Sequence, residues 1–195
     1  MEYLPRWLTA ESWAETGALQ LDPNASGPAA DLPEPVREAL EVARRYGLPS
    51  EVAGMFYPGT HGAPFTQVAA GTTGSFWRLG QHESQIGDEY VFEYVLDRTG
   101  QVVLLDPSLQ APRFVNSSLI AFLDALAAWD YRTQHLDDFD ELEPDDDEED
   151  DDPAEEARVA FGMAIAEQLR QRDPDAFSDD TWWSRVYEEV EFDVI

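Results

Sequence analysis

Hydrophobic positions along this chain switch between two periods, and the switches mark its elements. The clearest lie in Gly100 to Trp129, GQVVLLDPSLQAPRFVNSSLIAFLDALAAW. Val102 to Leu105 is a continuous apolar run bounded by turn formers, as suits a strand covered on both faces. Asp106-Pro107-Ser108 stops it, because Pro107 lacks the N–H that a ladder needs. A short extended piece, Arg113 to Val115, leads into Asn116-Ser117-Ser118, any of which can cap a helix. Leu119, Phe122, Leu123, Leu126 and Trp129 then share one helical arc, with Ala121, Asp124 and Ala128 opposite.

The same reading extends in both directions. Tyr90 to Asp97 alternates, with Tyr90, Phe92, Tyr94 and Leu96 on one face and Val91, Glu93, Val95 and Asp97 on the other. A turn at Asp97 to Gly100 joins it to Val102–Leu105 as an antiparallel hairpin. Ser75 to Gly80 reads as a strand, and Met55 to Gly74 as short strands and turns. Leu21 to Pro33 is loop by composition. Helices are predicted at 35–46, 117–131, 154–172 and 181–192. The first has Pro35 in its opening turn, buries Val36, Leu40 and Ala43, and stops at Gly47 and Pro49. The third is expected to bury Val159, Ala160, Met163, Ala166 and Leu169, with Ile165 at the margin. The last presents Trp182, Trp183, Val186, Tyr187 and Val190 for packing. Near the N-terminus, Thr9 to Ser12 carries only part of a capping box, a weak signal for a short helix. The fold class expected is α+β: a mostly antiparallel sheet of four to six strands between Val52 and Val115, flanked by helices.

The order of these signals resembles the SUKH superfamily (Smi1/Knr4-like), and within it the bacterial SUKH-4 immunity proteins. The resemblance is carried by Gly100, Val102, Val103 and Asp106, then Phe114 to Leu119, Phe122, Leu123 and Leu126. Tyr46-Gly47-Leu48-Pro49 and Arg78-Leu79-Gly80 fall upstream in the matching order, and a tryptophan-rich helix from Trp182 to Val190 follows. It covers Pro35 to Trp129 well and the C-terminal helix loosely, and no motif in it is catalytic. It implies an immunity protein that neutralises a cognate toxin by stoichiometric binding. The alternative it leaves is a regulatory scaffold that binds a cellular partner.

Charge changes the picture most. The 195 residues carry 41 acids against 12 basic residues, all arginine, for a net charge of −29. Thirteen of the sixteen residues from Asp137 to Asp152 are acidic. Such a block repels itself and has little to bury, so it is expected to be a disordered, solvated insertion in one domain formed by 1–136 and 153–195. Outside Asp137 to Glu156 the chain still holds 26 acids against its 12 arginines. This surface repels phosphate backbones, which argues against direct nucleic-acid binding, and attracts basic partners. Because the implied toxins are often nucleases, and nucleases tend to be basic, a basic toxin is the expected partner. Its expected contacts are Asp137, Asp138, Asp140, Glu141, Asp145, Asp146, Asp147, Trp182 and Trp183. Adjacent helical residues diverge by about 100°. One of Trp182 and Trp183 is therefore expected to be exposed, or to be buried against the Trp7/Trp13 region.

Catalytic chemistry finds little support. His61, His82 and His135 are scattered in loop-like contexts, and there is no cysteine. Gly71 to Ser75 lacks the lysine of a phosphate-binding loop and precedes a strand. The acidic run lacks the mid-loop glycine and ligand offsets of a calcium loop. Trp77 and Trp129 read as core. The expectation is a non-enzymatic protein with no cofactor or metal. It is expected to be cytoplasmic, with no membrane contact and no signal peptide, and the sequence favours a monomer without fixing the oligomeric state.

Overall fold

Five strands form an antiparallel meander in chain order: β3 (Gln67–Ala69), β4 (Ser75–His82), β5 (Phe92–Leu96), β6 (Val102–Leu105) and β7 (Arg113–Asn116). The computed structural model describes residues 3–14, 17–19, 21, 32–59, 63–69, 75–82, 92–106, 109, 111–139, 153–192 and 194–195. The expectations for His61, Gly71 to Gly74, Tyr90, Val91, Pro107, Ser108, most of the loop before Pro33, and 140–152 lie outside them. A second, two-stranded ribbon pairs β1 (Ala18–Leu19) with β2 (Leu48–Pro49). Gly47 ends α1 as expected, and Pro49, read only as part of the helix stop, also lies in a strand with Leu48.

The β5–β6 hairpin is built as its alternation predicts. Leu96 pairs with Val102 and Tyr94 with Leu104. The Asp97 carboxylate closes the turn by accepting from Thr99 N, Thr99 Oγ1 and Gln101 N at 2.7–3.0 Å. Tyr94, Leu96, Val102 and Leu104 face the main core, whereas Val95 and Val103 join Phe76 in a small cluster on the other face. In β4 the register shifts between Arg78 and Gly80. A Cβ on Gly80 would lie 2.3 Å from Phe56 Cζ, so only glycine lets the Phe56–Tyr57 segment pair beside the strand.

Four α-helices among the described residues complete the α+β architecture: α1 (Glu34–Tyr46), α2 (Leu119–Gln134), α3 (Pro153–Arg172) and α4 (Trp182–Glu191). Ser118 is the residue that caps α2, accepting from Ala121 N at 3.3 Å. The side of α2 opposite its apolar arc is also buried as far as Trp129, and exposure begins only in the last turn, at Tyr131, Thr133 and Gln134. Ala121, Asp124 and Ala128 are as buried as Phe122 and Leu126, because the N-terminal segment covers the face that the sheet and other helices leave. The buried side of α3 is the expected one at Ile165, Ala166 and Leu169 but not in the preceding turns. Gly162, Ile165, Ala166 and Leu169 are buried, Ala160 is exposed, and Val159 and Met163 are only partly covered. Gly162 sets this difference: a Cβ there would lie 2.6 Å from Val190 Cγ1, so α4 crosses α3 at a bare backbone. No helix among the described residues is long and apolar enough to cross a membrane.

Candidate functional site

The N-terminal segment Tyr3 to Ala14 runs along α2 as a strap. Leu8 and Trp13 anchor it in the core. Its hold on α2 is the fully buried carboxylate of Asp124. Oδ1 accepts from the backbone N–H of Arg6, Trp7 and Leu8 at 3.0, 2.7 and 2.8 Å. Oδ2 accepts from the Tyr3 hydroxyl at 2.9 Å. Converging donors are what a buried carboxylate requires in place of water. Burial, together with the adjoining Asp124 charge, pushes the Tyr3 phenol well above its ordinary pKa. Past Leu8 the capping-box fragment is used without a helix. Ser12 Oγ accepts from Thr9 N at 2.7 Å and Thr9 Oγ1 from Glu11 N at 3.2 Å, and turns at Ala10 to Ala14 follow.

A second buried polar set lies close by, near enough for the Asp173 charge to act on the Tyr3 phenol. Trp183 Nε1 donates to Asn116 Oδ1 at 2.8 Å, and Asn116 Nδ2 donates to Asp173 Oδ2 at 3.0 Å. Ser117 N donates to the same oxygen at 3.0 Å. This set ties the end of β7 to the end of α3 and the start of α4.

The strap shapes two clefts of opposite character. One, of about 700 Å³, is lined by Tyr3, Leu4, Ser117, Ser118, Ile120, Gln171 and Arg172, and the Arg172 guanidinium is the one charged group among these described residues. The other, a groove of about 430 Å³, lies between the strap and the outer side of α2. Trp7, Tyr131, Glu11 and Asp130 line it, and no cation is among its described lining residues. Tyr131 is 40% exposed, with its ring 4.1 Å from His135 and 5.9 Å from Phe161. The groove thus continues into a ridge of aromatic side chains that ends at Phe139, 5.4 Å from Phe161.

The expected contact residues are placed unevenly. Asp137 and Asp138 are exposed on a 3₁₀ turn, Asp137–Phe139, directly after α2. The acidic run is thus structured at its start, where Phe139 packs on α3, and not solvated throughout. Asp140, Glu141, Asp145, Asp146 and Asp147 lie outside the described residues. Trp182 and Trp183 correct the expectation of an exposed tryptophan, since they are 8% and 0% exposed. Helix α4 is wedged between two bodies, so its side chains can diverge and both be buried. Trp182 meets His82 and Tyr94, and Trp183 meets Asn116 and Tyr187. His82 is likewise on a strand end rather than in a loop, and His135 caps α2.

The groove residues Trp7, Glu11, Asp130 and Tyr131 carried no sequence signal, because tertiary contact alone brings them together. Asp124 did carry one: a carboxylate at the centre of LIAFLDALAAW must find donors. Among the described residues no three His, Asp or Glu side chains are grouped to hold a metal ion. The arrangement offers concave, acidic and aromatic surface suited to holding a polypeptide. The profile of the SUKH-4 immunity protein family matches residues 4–189. No curated protein and no solved structure matches the chain.

Proposed function

The chain belongs to the SUKH-4 immunity protein family, a family of toxin-immunity proteins, and from that premise we propose that it binds a basic toxin one-to-one and blocks it without turnover. The observation that supports the finer reading is charge: −29 over 195 residues, of which the acidic run accounts for only part. A field of one sign over a surface speeds the encounter with an oppositely charged partner. Toxins that act on nucleic acid carry basic surfaces to hold phosphate, so an acidic inhibitor competes for the same groups. Inhibition then needs only occupancy, with specificity set by ordered aromatic and carboxylate contacts on the domain.

The test is a titration of the cognate toxin domain, sought first in the neighbouring genes, with its own activity as readout. The expected result is a linear loss that reaches zero at one equivalent, and protection of cells that express both chains. Loss at far below one equivalent would show turnover of the toxin and remove the occupancy mechanism.

A further inference from the structure

We propose that the groove between the strap and α2 is the toxin-docking surface, and that it receives an arginine- or lysine-bearing segment of the toxin against Tyr131. This rests on the immunity reading above and adds the face and the chemistry of the contact. Charge complementarity selects the groove. Its described lining residues include the carboxylates of Glu11 and Asp130 and no cation, with Arg6 and Arg172 reaching only the Trp7 ring at its edge. The described lining of the cleft on the other side of the strap instead includes Arg172 and no carboxylate. Asp137 and Asp138 stand exposed just beyond the end of α2, extending the negative rim toward the acidic run.

Aromatic anchoring supports the same surface. Arg6 and Arg172 already sit over the Trp7 ring, at 5.4 and 5.9 Å, which leaves Tyr131 as the accessible ring of the groove. An exposed tyrosine braced by neighbouring rings can take a guanidinium or ammonium group on its face while carboxylates meet the charge. Tyrosine at the centre of a contact, ringed by polar groups, is the usual composition of an interface anchor. The groove is also preformed, because Asp124 fixes the strap that makes one wall. A preformed wall loses little conformational entropy on binding and favours slow dissociation.

The experiment measures binding of the purified cognate toxin domain to three variants of the full chain. Tyr131→Ala is expected to raise Kd by about tenfold or more, mostly through k_off. Glu11→Arg is expected to slow association several-fold, and to lose that effect as salt is raised. Leu4→Asp, in the other cleft and 72% exposed, is expected to bind like the unaltered chain. Melting temperatures of all three are measured alongside, since each position is exposed and the fold should stand. Unchanged binding by both groove variants, with the unaltered chain binding and protecting, would overturn the docking surface and leave the immunity reading in place. Failure of the unaltered chain to bind or protect would remove the immunity reading itself, and the docking surface with it.

Discussion

The Asp124 carboxylate accepts the backbone N–H of Leu8 at 2.8 Å, joining the strap to the centre of α2 across 116 residues of chain. The neighbouring N–H groups of Arg6 and Trp7 turn to the same oxygen. One side chain thus satisfies three donors in succession, that of Leu8 buried and those of Arg6 and Trp7 part-buried. Asp124→Ala is expected to cost about 2–4 kcal/mol, bounded above by the strap peeling away into water. Asp124→Asn keeps one acceptor and should cost less. Hydrogen exchange checks this directly: amides 6 to 8 are protected in the unaltered chain and should exchange freely in Asp124→Ala. Retained protection there would show that the strap is held by Leu8 and Trp13 alone.

Phe122 and Leu123 are fully buried in α2, so truncating either to alanine removes volume that the surroundings cannot refill. Each is expected to destabilise by about 2–5 kcal/mol in denaturant unfolding. Ala160→Ser, on the exposed side of α3, is the appropriate control and should change little. Comparable midpoints for all three would mean that the core is misassigned.

Gly162→Ala decides between two opposing effects. In an exposed helix the change gains up to about 1 kcal/mol through propensity. Here the new Cβ meets Val190 Cγ1 at 2.6 Å and Arg132 Nε at 3.1 Å, and overpacking typically costs about 1–3 kcal/mol. Net destabilisation is expected, read as a lower melting temperature. A rise would show that α3 and α4 can separate without cost.

Three phenols give a pH dependence of known sign. Burial raises the pKa of Tyr94 and Tyr187 above the ordinary value of 10.0, and burial with the Asp124 charge raises that of Tyr3. A group whose folded pKa is raised contributes stability that is fully present below its unfolded pKa. That contribution is lost as pH climbs from about 10 toward the folded values. Stability should therefore fall above about pH 10. In an ultraviolet titration these three of the seven tyrosines should ionise only as the fold is lost. Smooth ionisation of all seven near pH 10.0, with the fold intact, would contradict their burial.

What could be read from the chain was what neighbours in sequence decide. Alternation and the Asp97 turn placed the β5–β6 hairpin, and apolar spacing placed all four helices to within two residues at every end except that of α2, which runs three residues further to Gln134. What could not be read depended on distant chain. That Asp124 is buried could be suspected from its apolar surroundings, but not which groups it meets, because its donors lie in the strap. The face of α3 before Ile165 was misjudged because Gly162 counts as neither apolar nor polar, yet its missing side chain is what α4 packs on. Trp182 and Trp183 are both buried because α4 has partners on two sides. The groove has no local signature, since Trp7 and Glu11 meet Asp130 and Tyr131 only once the strap is laid along α2.

The most direct measurement is of association and dissociation rates with the toxin domain, at two ionic strengths. The unaltered chain is compared with one whose acids from Asp140 to Asp152 are replaced by Asn and Gln at constant length. Length is kept because Phe139 sits beside Phe161, while the chain re-enters at Pro153 about 12 Å back along α3, at ~1.5 Å per residue. If the acidic run steers a basic toxin to ordered contacts on the domain, k_on falls several-fold at low salt and the difference narrows as salt is raised. Under the same account k_off stays within about twofold. A large rise in k_off with k_on unchanged would contradict this account and place the acidic run itself inside the toxin's site.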